Sequence, residues 1–184
     1  MYKLGIVAEG LPNTDVKIIS ELIKKMVSDN LELCPYPGRD KSNVIKKYRD
    51  WLEDCRKKNV DKALVMVDQD LSCIKLIVEM MQKKIEGRQY RFPVKFHVIV
   101  RMLETWLLSD EEAISAVVGK NVPRVNGTLE NIRNPKVKLK EILSRAKATY
   151  TPETLRRIAE ESDIERIAYR CPGFERFRRS VLDC

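Results

Sequence analysis

Two short acidic motifs carry the residue types that could do chemistry: Glu9-Gly10 and Asp68-Gln69-Asp70, with a further acid at Glu104. Carboxylates gathered at one place are costly neighbours. Two of them about 4 Å apart repel by about 4 kcal/mol at an effective dielectric near 20. A protein relieves that repulsion by protonating one group or by holding a cation. Hard oxygen donors select Mg²⁺ or Mn²⁺ over softer metals. The one histidine, His97, lies inside an apolar run away from these acids. A divalent ion held by Glu9, Asp68 and Asp70 would grip phosphate oxygens and activate water for phosphodiester chemistry.

Each motif alone has a plainer reading. An aspartate after a strand often makes an Asx-turn or caps a helix, and Asp70 stands just before Leu71, where a helix could start. Glu104 could be a helix-start charge, and Gly10 an ordinary turn residue. The joint pattern is more specific, provided the fold brings these residues together.

The pattern of apolar residues supplies such a fold. Residues 3–8 (KLGIVA), 62–67 (KALVMV) and 94–100 (VKFHVIV) are short apolar runs that read as buried strands. Residues 31–34 (LELC) are a weaker strand, followed by a turn-rich stretch at 35–43. A helix is expected from about Thr14, with Ile18, Ile19, Leu22, Ile23 and Met26 on one face. A second, capped by Ser42, carries Val44, Ile45, Tyr48, Trp51, Leu52 and Cys55 at spacings of three and four. A third covers residues 72–86 and closes at Gly87. Alternating strands and helices, with strands apolar on both faces, predict a mostly parallel sheet of four to five strands flanked by helices. Ligands of such sheets bind beyond the carboxyl ends of the strands. Glu9 and Asp68 end two of these runs, and Glu104 follows a third.

After residue 118 the chain reads as helices. Capping-box patterns stand at Ser109/Glu112 and Ser162/Glu165, residues 121–135 form a loop, and Asn134-Pro135 and Thr151-Pro152 each open a helix. Residues 171–177 (CPGFERF) break and restart the chain. We therefore expect an α/β core over residues 1–118 and a helical C-terminal extension over 119–184, packed on it as one compact domain.

Composition narrows the function. The 184 residues carry a formal net charge of +8, which favours polyanionic partners such as nucleic acid. The surplus is local: residues 120–147 hold eight Lys or Arg against Glu130 and Glu141, whereas 151–184 hold seven of each sign. Arg101 stands beside the proposed site and could meet phosphate, with a salt bridge to Glu104 or to an Asp68 or Asp70 carboxylate as the alternative. Lys136 and Lys138 could contact a phosphate backbone, although alternating lysines on a helix are usually a solvated face. Arg39 and Lys41 stand in a loop that could reach the site, with a solvated turn as the preferred reading, and His97 and Trp106 read as core. Five cysteines without a CxxC pair, and one histidine, make a zinc site improbable and read as reduced cytoplasmic thiols. No apolar run reaches the roughly 18 residues of a membrane span, and no Walker-A motif is present.

At these acidic residues the sequence resembles the Toprim superfamily, whose domain occurs in topoisomerases, bacterial primases and OLD-type nucleases. The resemblance rests on Glu9-Gly10 after the first strand and Asp68-x-Asp70 after the third. It implies general acid/base work for Glu9 and Mg²⁺ binding for Asp68 and Asp70. Residues 101–114 (RMLETWLLSDEEAI) and the CPGFERF segment resemble a Toprim-like family related to OLD-type nucleases. That likeness covers nearly the whole chain, adds Glu104 as a catalytic candidate, and implies an ATPase partner and antiphage defence. One departure concerns Asp15. Toprim glutamates are often followed as EGxTD, and here EGLPNTD puts two extra residues before Thr14-Asp15, which leaves a role for Asp15 in doubt.

The expected function is a Mg²⁺-dependent (or Mn²⁺-dependent) nuclease, with Glu9 and Glu104 catalytic, Glu9, Asp68 and Asp70 on the metal, and Gly10, Arg101, Lys136 and Lys138 on the substrate. The alternative is a degenerate module that binds nucleic acid or a partner ATPase. Glycosyltransferase, aspartyl-phosphatase and receiver-domain readings rank lower, because each leaves Glu9-Gly10 unexplained or wants its acids after the first strand.

Overall fold

The computed structural model describes residues 1–11, 14–27 and 30–183. Its sheet has four strands, all parallel: β1 (Tyr2–Ala8), β2 (Leu31–Pro37), β3 (Lys62–Asp68) and β4 (Val94–Ile99), in the order β2-β1-β3-β4. Helices α1 (Asp15–Met26), α2 (Lys41–Lys57) and α3 (Ile74–Ile85) connect the strands. The expected α/β architecture with a helical C-terminal part is therefore present. β2 runs three residues past the expected LELC segment and takes in Pro35 and Pro37. It lies at the sheet edge, and an edge strand tolerates prolines because one side of its backbone needs no ladder partner.

Alternate residues of β1 and β3 feed two cores. Leu4, Ile6, Leu64 and Met66 face α1 and the C-terminal helices, whereas Val7, Ala63, Val65 and Val67 face α2 and α3. This two-sided burial is why both strands read as unbroken apolar runs.

Beyond β4 the chain forms α4 (Glu104–Leu107), α5 (Glu111–Val118), a 3-10 turn at Leu129–Asn131, α6 (Pro135–Arg145), α7 (Pro152–Glu161), α8 (Ile164–Arg170) and α9 (Pro172–Leu182). Trp106 is fully buried, stacks on Phe177 with ring centroids 4.9 Å apart and meets Phe174 edge-on. His97 packs in the same aromatic cluster, so the core reading of both residues holds. Lys62, itself buried, ties α9 to the sheet by donating to the carbonyls of Ser180, Val181 and Asp183, where a cation suits a helix C-terminus. Cys34, Cys55, Cys73 and Cys171 are free thiols, and Cys184 lies outside the described residues. Among the described residues, no helix is long and apolar enough to cross a membrane.

Three expected helix caps shift to a neighbouring aspartate. Asp40, not Ser42, caps α2, accepting from Asn43 N at 2.9 Å. Asp110, not Ser109, caps α5, and Asp163, not Ser162, caps α8. The two serines instead donate back to the carbonyls of Trp106 and Ile158. Thr14 precedes α1 without capping it; its hydroxyl accepts from Leu11 N at 2.7 Å.

Candidate acidic site at the switch point of the sheet

β1 pairs with β2 on one side and β3 on the other, so the crossovers from β1 and to β3 leave in opposite directions. A crevice opens at such a switch point, beyond the strands' carboxyl ends. Glu9 follows β1 directly, Asp68 ends β3, and Glu104 opens the helix after β4. The Asp68 backbone N–H donates to Glu9 Oε1 at 2.7 Å, which pins the glutamate across the mouth of β3.

Gly10 folds the next segment back over this edge. Its φ is +90°, and it bridges Arg39 in both directions, Gly10 N to Arg39 O at 3.2 Å and Arg39 N to Gly10 O at 2.9 Å. A Cβ at Gly10 would stand 2.6 Å from Thr14 Oγ1 and 2.8 Å from Asp15 Oδ2. The side on which a side chain would stand is thus filled by the protein's own Thr14 and Asp15. The positive φ fits the turn reading of Gly10, and the glycine lets Asp15 approach the backbone.

Asp15 accordingly joins the acidic edge, although the longer spacing after Glu9 had argued against it. Burial pushes its carboxyl up to about 6, with the Glu104 charge adding to the rise and Lys136 opposing it. Glu9 is raised too, first by burial, while the Asp68 N–H and Lys41 pull the other way. Asp68 is the extreme case. Burial holds its carboxyl well above the ordinary range, and the charges of Glu9, Asp15, Glu104 and Asp70 push in the same direction. Among the described residues, no hydrogen-bond donor reaches the Asp68 carboxylate.

Asp70 and Arg101 hold the two loops at this edge together. Asp70 N donates to Arg101 O at 3.1 Å, and Arg101 N to Gln69 Oε1 at 3.2 Å. Both residues have positive φ, 53° and 63°, a left-handed conformation costing about 1–2 kcal/mol each for a side-chain-bearing residue. Asp70 does not cap α3, which starts later, at Ile74 after Cys73. Its carboxylate pairs with Lys41 at 2.5 Å, so Lys41 reaches the site, contrary to the solvated-turn reading. Arg101 meets neither Glu104 nor an Asp68 or Asp70 carboxylate; its guanidinium donates to the Glu130 and Asp70 backbone carbonyls.

Glu104 is buried and accepts from the Tyr150 hydroxyl, with Lys136 Nζ 4.0 Å away. Lys136 and Lys140 both lie over the Tyr150 ring, at 5.6 and 5.0 Å from its centroid. Burial and the Glu104 bond both raise the Tyr150 phenol, keeping it a hydrogen-bond donor. Lys138 does not join this group. It lines a separate cavity with Arg124 and Arg145, because two residues along a helix is more than half a turn. The sequence reading missed Tyr150 altogether. Its one signal was a position just before the Thr151-Pro152 helix start, which carries no chemistry.

The donor set fits a hard divalent cation: carboxylate oxygens, with no sulfur or imidazole among them. The acids act on one another's charge, yet among the described residues no three acidic, cysteine or histidine side chains close into a formed metal cage.

A family model described as "Domain of unknown function (DUF4276)" matches residues 7–182. No curated protein and no solved structure matches the chain.

Proposed function

The chain belongs to the DUF4276 family, and from its acidic edge we propose a Mg²⁺- or Mn²⁺-dependent phosphodiesterase of Toprim type that cleaves nucleic acid in the cytoplasm. One observation carries this reading: half-buried Asp68 ends β3 with the charges of Glu9, Asp15, Glu104 and Asp70 all acting on its carboxylate, which accepts no hydrogen bond among the described residues. Such a cluster is unfavourable alone and favourable around a cation. Glu9, Asp68 and Asp70 would hold the ion, which when bound supplies a Lewis acid for phosphate oxygens and a more acidic water.

The protein's own groups do the rest. Glu9, its carboxyl raised, accepts or returns a proton while the Asp68 N–H keeps it aimed. Glu104 is held by Tyr150 and offers a second proton acceptor beside Asp15. Lys41 neutralises Asp70 in the metal-free protein. With Asp70 among the residues that would hold the cation, the Lys41 ammonium would be free to meet a phosphate oxygen. The basic surplus over residues 120–147 would draw a polyanion towards this edge.

The test is cleavage of DNA, RNA and tRNA panels with Mg²⁺ and Mn²⁺ by wild type, Glu9→Gln and Asp68→Asn. Activity lost in both variants, with the fold retained, supports the proposal. Equal cleavage by all three proteins refutes it.

A second reading is a Toprim-like module that binds nucleic acid or an ATPase subunit, in antiphage defence, without cutting by itself. The Lys41–Asp70 ion pair and the absence of a closed cage among the described residues favour it. Calorimetry with Mg²⁺ separates the two: a module of this kind binds no metal even at millimolar concentration with nucleic acid present.

A further inference from the structure

Beside the acidic edge lies a cavity of about 520 Å³, lined by Asp70, Leu71, Arg101, Met102, Arg133 and Asn134. Its position is set by the clasp between the Asp70 and Arg101 backbones, so it shares a wall with the carboxylates. The chemistry of that wall changes over one residue. Leu71 is 79% exposed although it is a large apolar side chain, and half-buried Met102 stands with it. Two arginines, Arg101 and Arg133, share the lining.

Those arginines make an unusual choice of partners. Arg101 spends its Nε and one Nη on backbone carbonyls, at 3.3 and 3.5 Å, which fixes the plane of the guanidinium and leaves donors over. Among the described residues, no carboxylate pairs with Arg101 or Arg133, although acids crowd the adjoining edge. Asp70, the one acid in the lining, is already neutralised by Lys41. A guanidinium held by backbone carbonyls and free of carboxylates, a second in the same lining and two apolar side chains are what a nucleotide needs: fork-shaped donors for phosphate and apolar surface for the base. The volume lies in the range of small-ligand pockets. Asn134 spends its side-chain oxygen on capping α6, accepting from Val137 N at 3.1 Å, and keeps its amide N–H donors.

We propose that this cavity holds one nucleotide unit of a single nucleic acid strand, its phosphate on Arg101 and Arg133 and its base against Leu71 and Met102. This subsite rests on the phosphodiesterase reading for its purpose, since it would seat the strand beside Glu9 and Asp68.

The test measures binding and cleavage separately. The metal-free full chain in EDTA is titrated by calorimetry with 5′-phosphorylated dithymidylate, dTMP and thymidine. We expect the dinucleotide to bind and thymidine to bind at least about tenfold more weakly. Arg133→Ala should weaken the dinucleotide about tenfold and flatten its salt dependence by about 0.7 in log–log slope. Leu71→Asp, at a surface position that does not disturb the core, should weaken it several-fold. Unchanged dinucleotide binding in both variants overturns the subsite, as does thymidine binding as tightly as the dinucleotide. Tighter binding of dTMP than of the dinucleotide overturns the assignment to a strand. Asp68→Asn keeps the failures apart. Dinucleotide binding without cleavage by any metal-loaded protein upholds the subsite and removes the phosphodiesterase. Cleavage lost in Asp68→Asn but with KM unchanged in Arg133→Ala removes the subsite and keeps the phosphodiesterase.

Discussion

Two aspartates in this protein, one buried and one half-buried, have opposite surroundings. Asp110, 1% exposed, is met by donors on every side: Glu112 N at 3.2 Å, Ala113 N at 3.1 Å, Asp163 N at 2.7 Å and Arg166 Nη1 at 2.7 Å. It caps α5 and ties that helix to the start of α8. Asp68 is met by acids, and its own carboxylate receives no donor among the described residues. Burial of a charge is thus no signature of function. The partners decide: donors make a buried acid a strut, whereas other acids leave it to take up a proton or, as proposed, a cation.

The largest effect that would sharpen this contrast is catalytic. Asp68→Asn is expected to lower metal-dependent cleavage at least about 100-fold while leaving the metal-free thermal midpoint unchanged or raised, because a repelled charge has been removed. A midpoint that falls would mean Asp68 is a strut like Asp110. Asp110→Ala comes next. It strips three backbone N–H groups and Arg166 of their acceptor, and urea denaturation should show a loss of about 3 kcal/mol. A loss under about 1 kcal/mol would erase the distinction.

The pH dependence follows in size. Asp15 is raised from 3.8 to about 6, so its contribution to stability is complete below the lower value and is lost as pH rises through the upper one. His97 has the opposite slope. Burial and then Arg176 hold its imidazole down at about 4 against an ordinary 6.5, so its contribution is present above 6.5 and lost as pH falls towards 4. The informative quantity is therefore the difference between wild type and Asp15→Asn. Without metal, the wild type should lose about 1–3 kcal/mol relative to the variant between acid and neutral pH. Mg²⁺ should restore part of it at neutral pH alone. A difference that is flat with pH would show that the acidic edge is not under strain. The smallest effect belongs to Tyr150→Phe, which removes the hydrogen bond to Glu104 at a cost of about 1 kcal/mol. If Glu104 handles a proton, this variant lowers kcat several-fold with KM unchanged; equal activity would make the bond a structural one.

Apolar patterning was enough to specify the parallel sheet and to bring Glu9, Asp68 and Glu104 to one edge. Apolar runs buried on both faces specify parallel strands, and parallel strands share one carboxyl edge. It also marked where helices begin, though at Asp40, Asp110 and Asp163 the capping residue was a neighbour of the serine expected. A carboxylate and a hydroxyl one or two positions apart compete for the same N–H groups, and a linear pattern does not say which wins. The other members of this edge are brought in by long-range packing. Asp15 arrives because Gly10 turns back upon Arg39, Lys41 because α2 begins against the loop after β3, and Tyr150 from 46 residues beyond Glu104. Spacing rules reach about one helical turn or one strand pair, and these partners are brought in by packing across the whole chain.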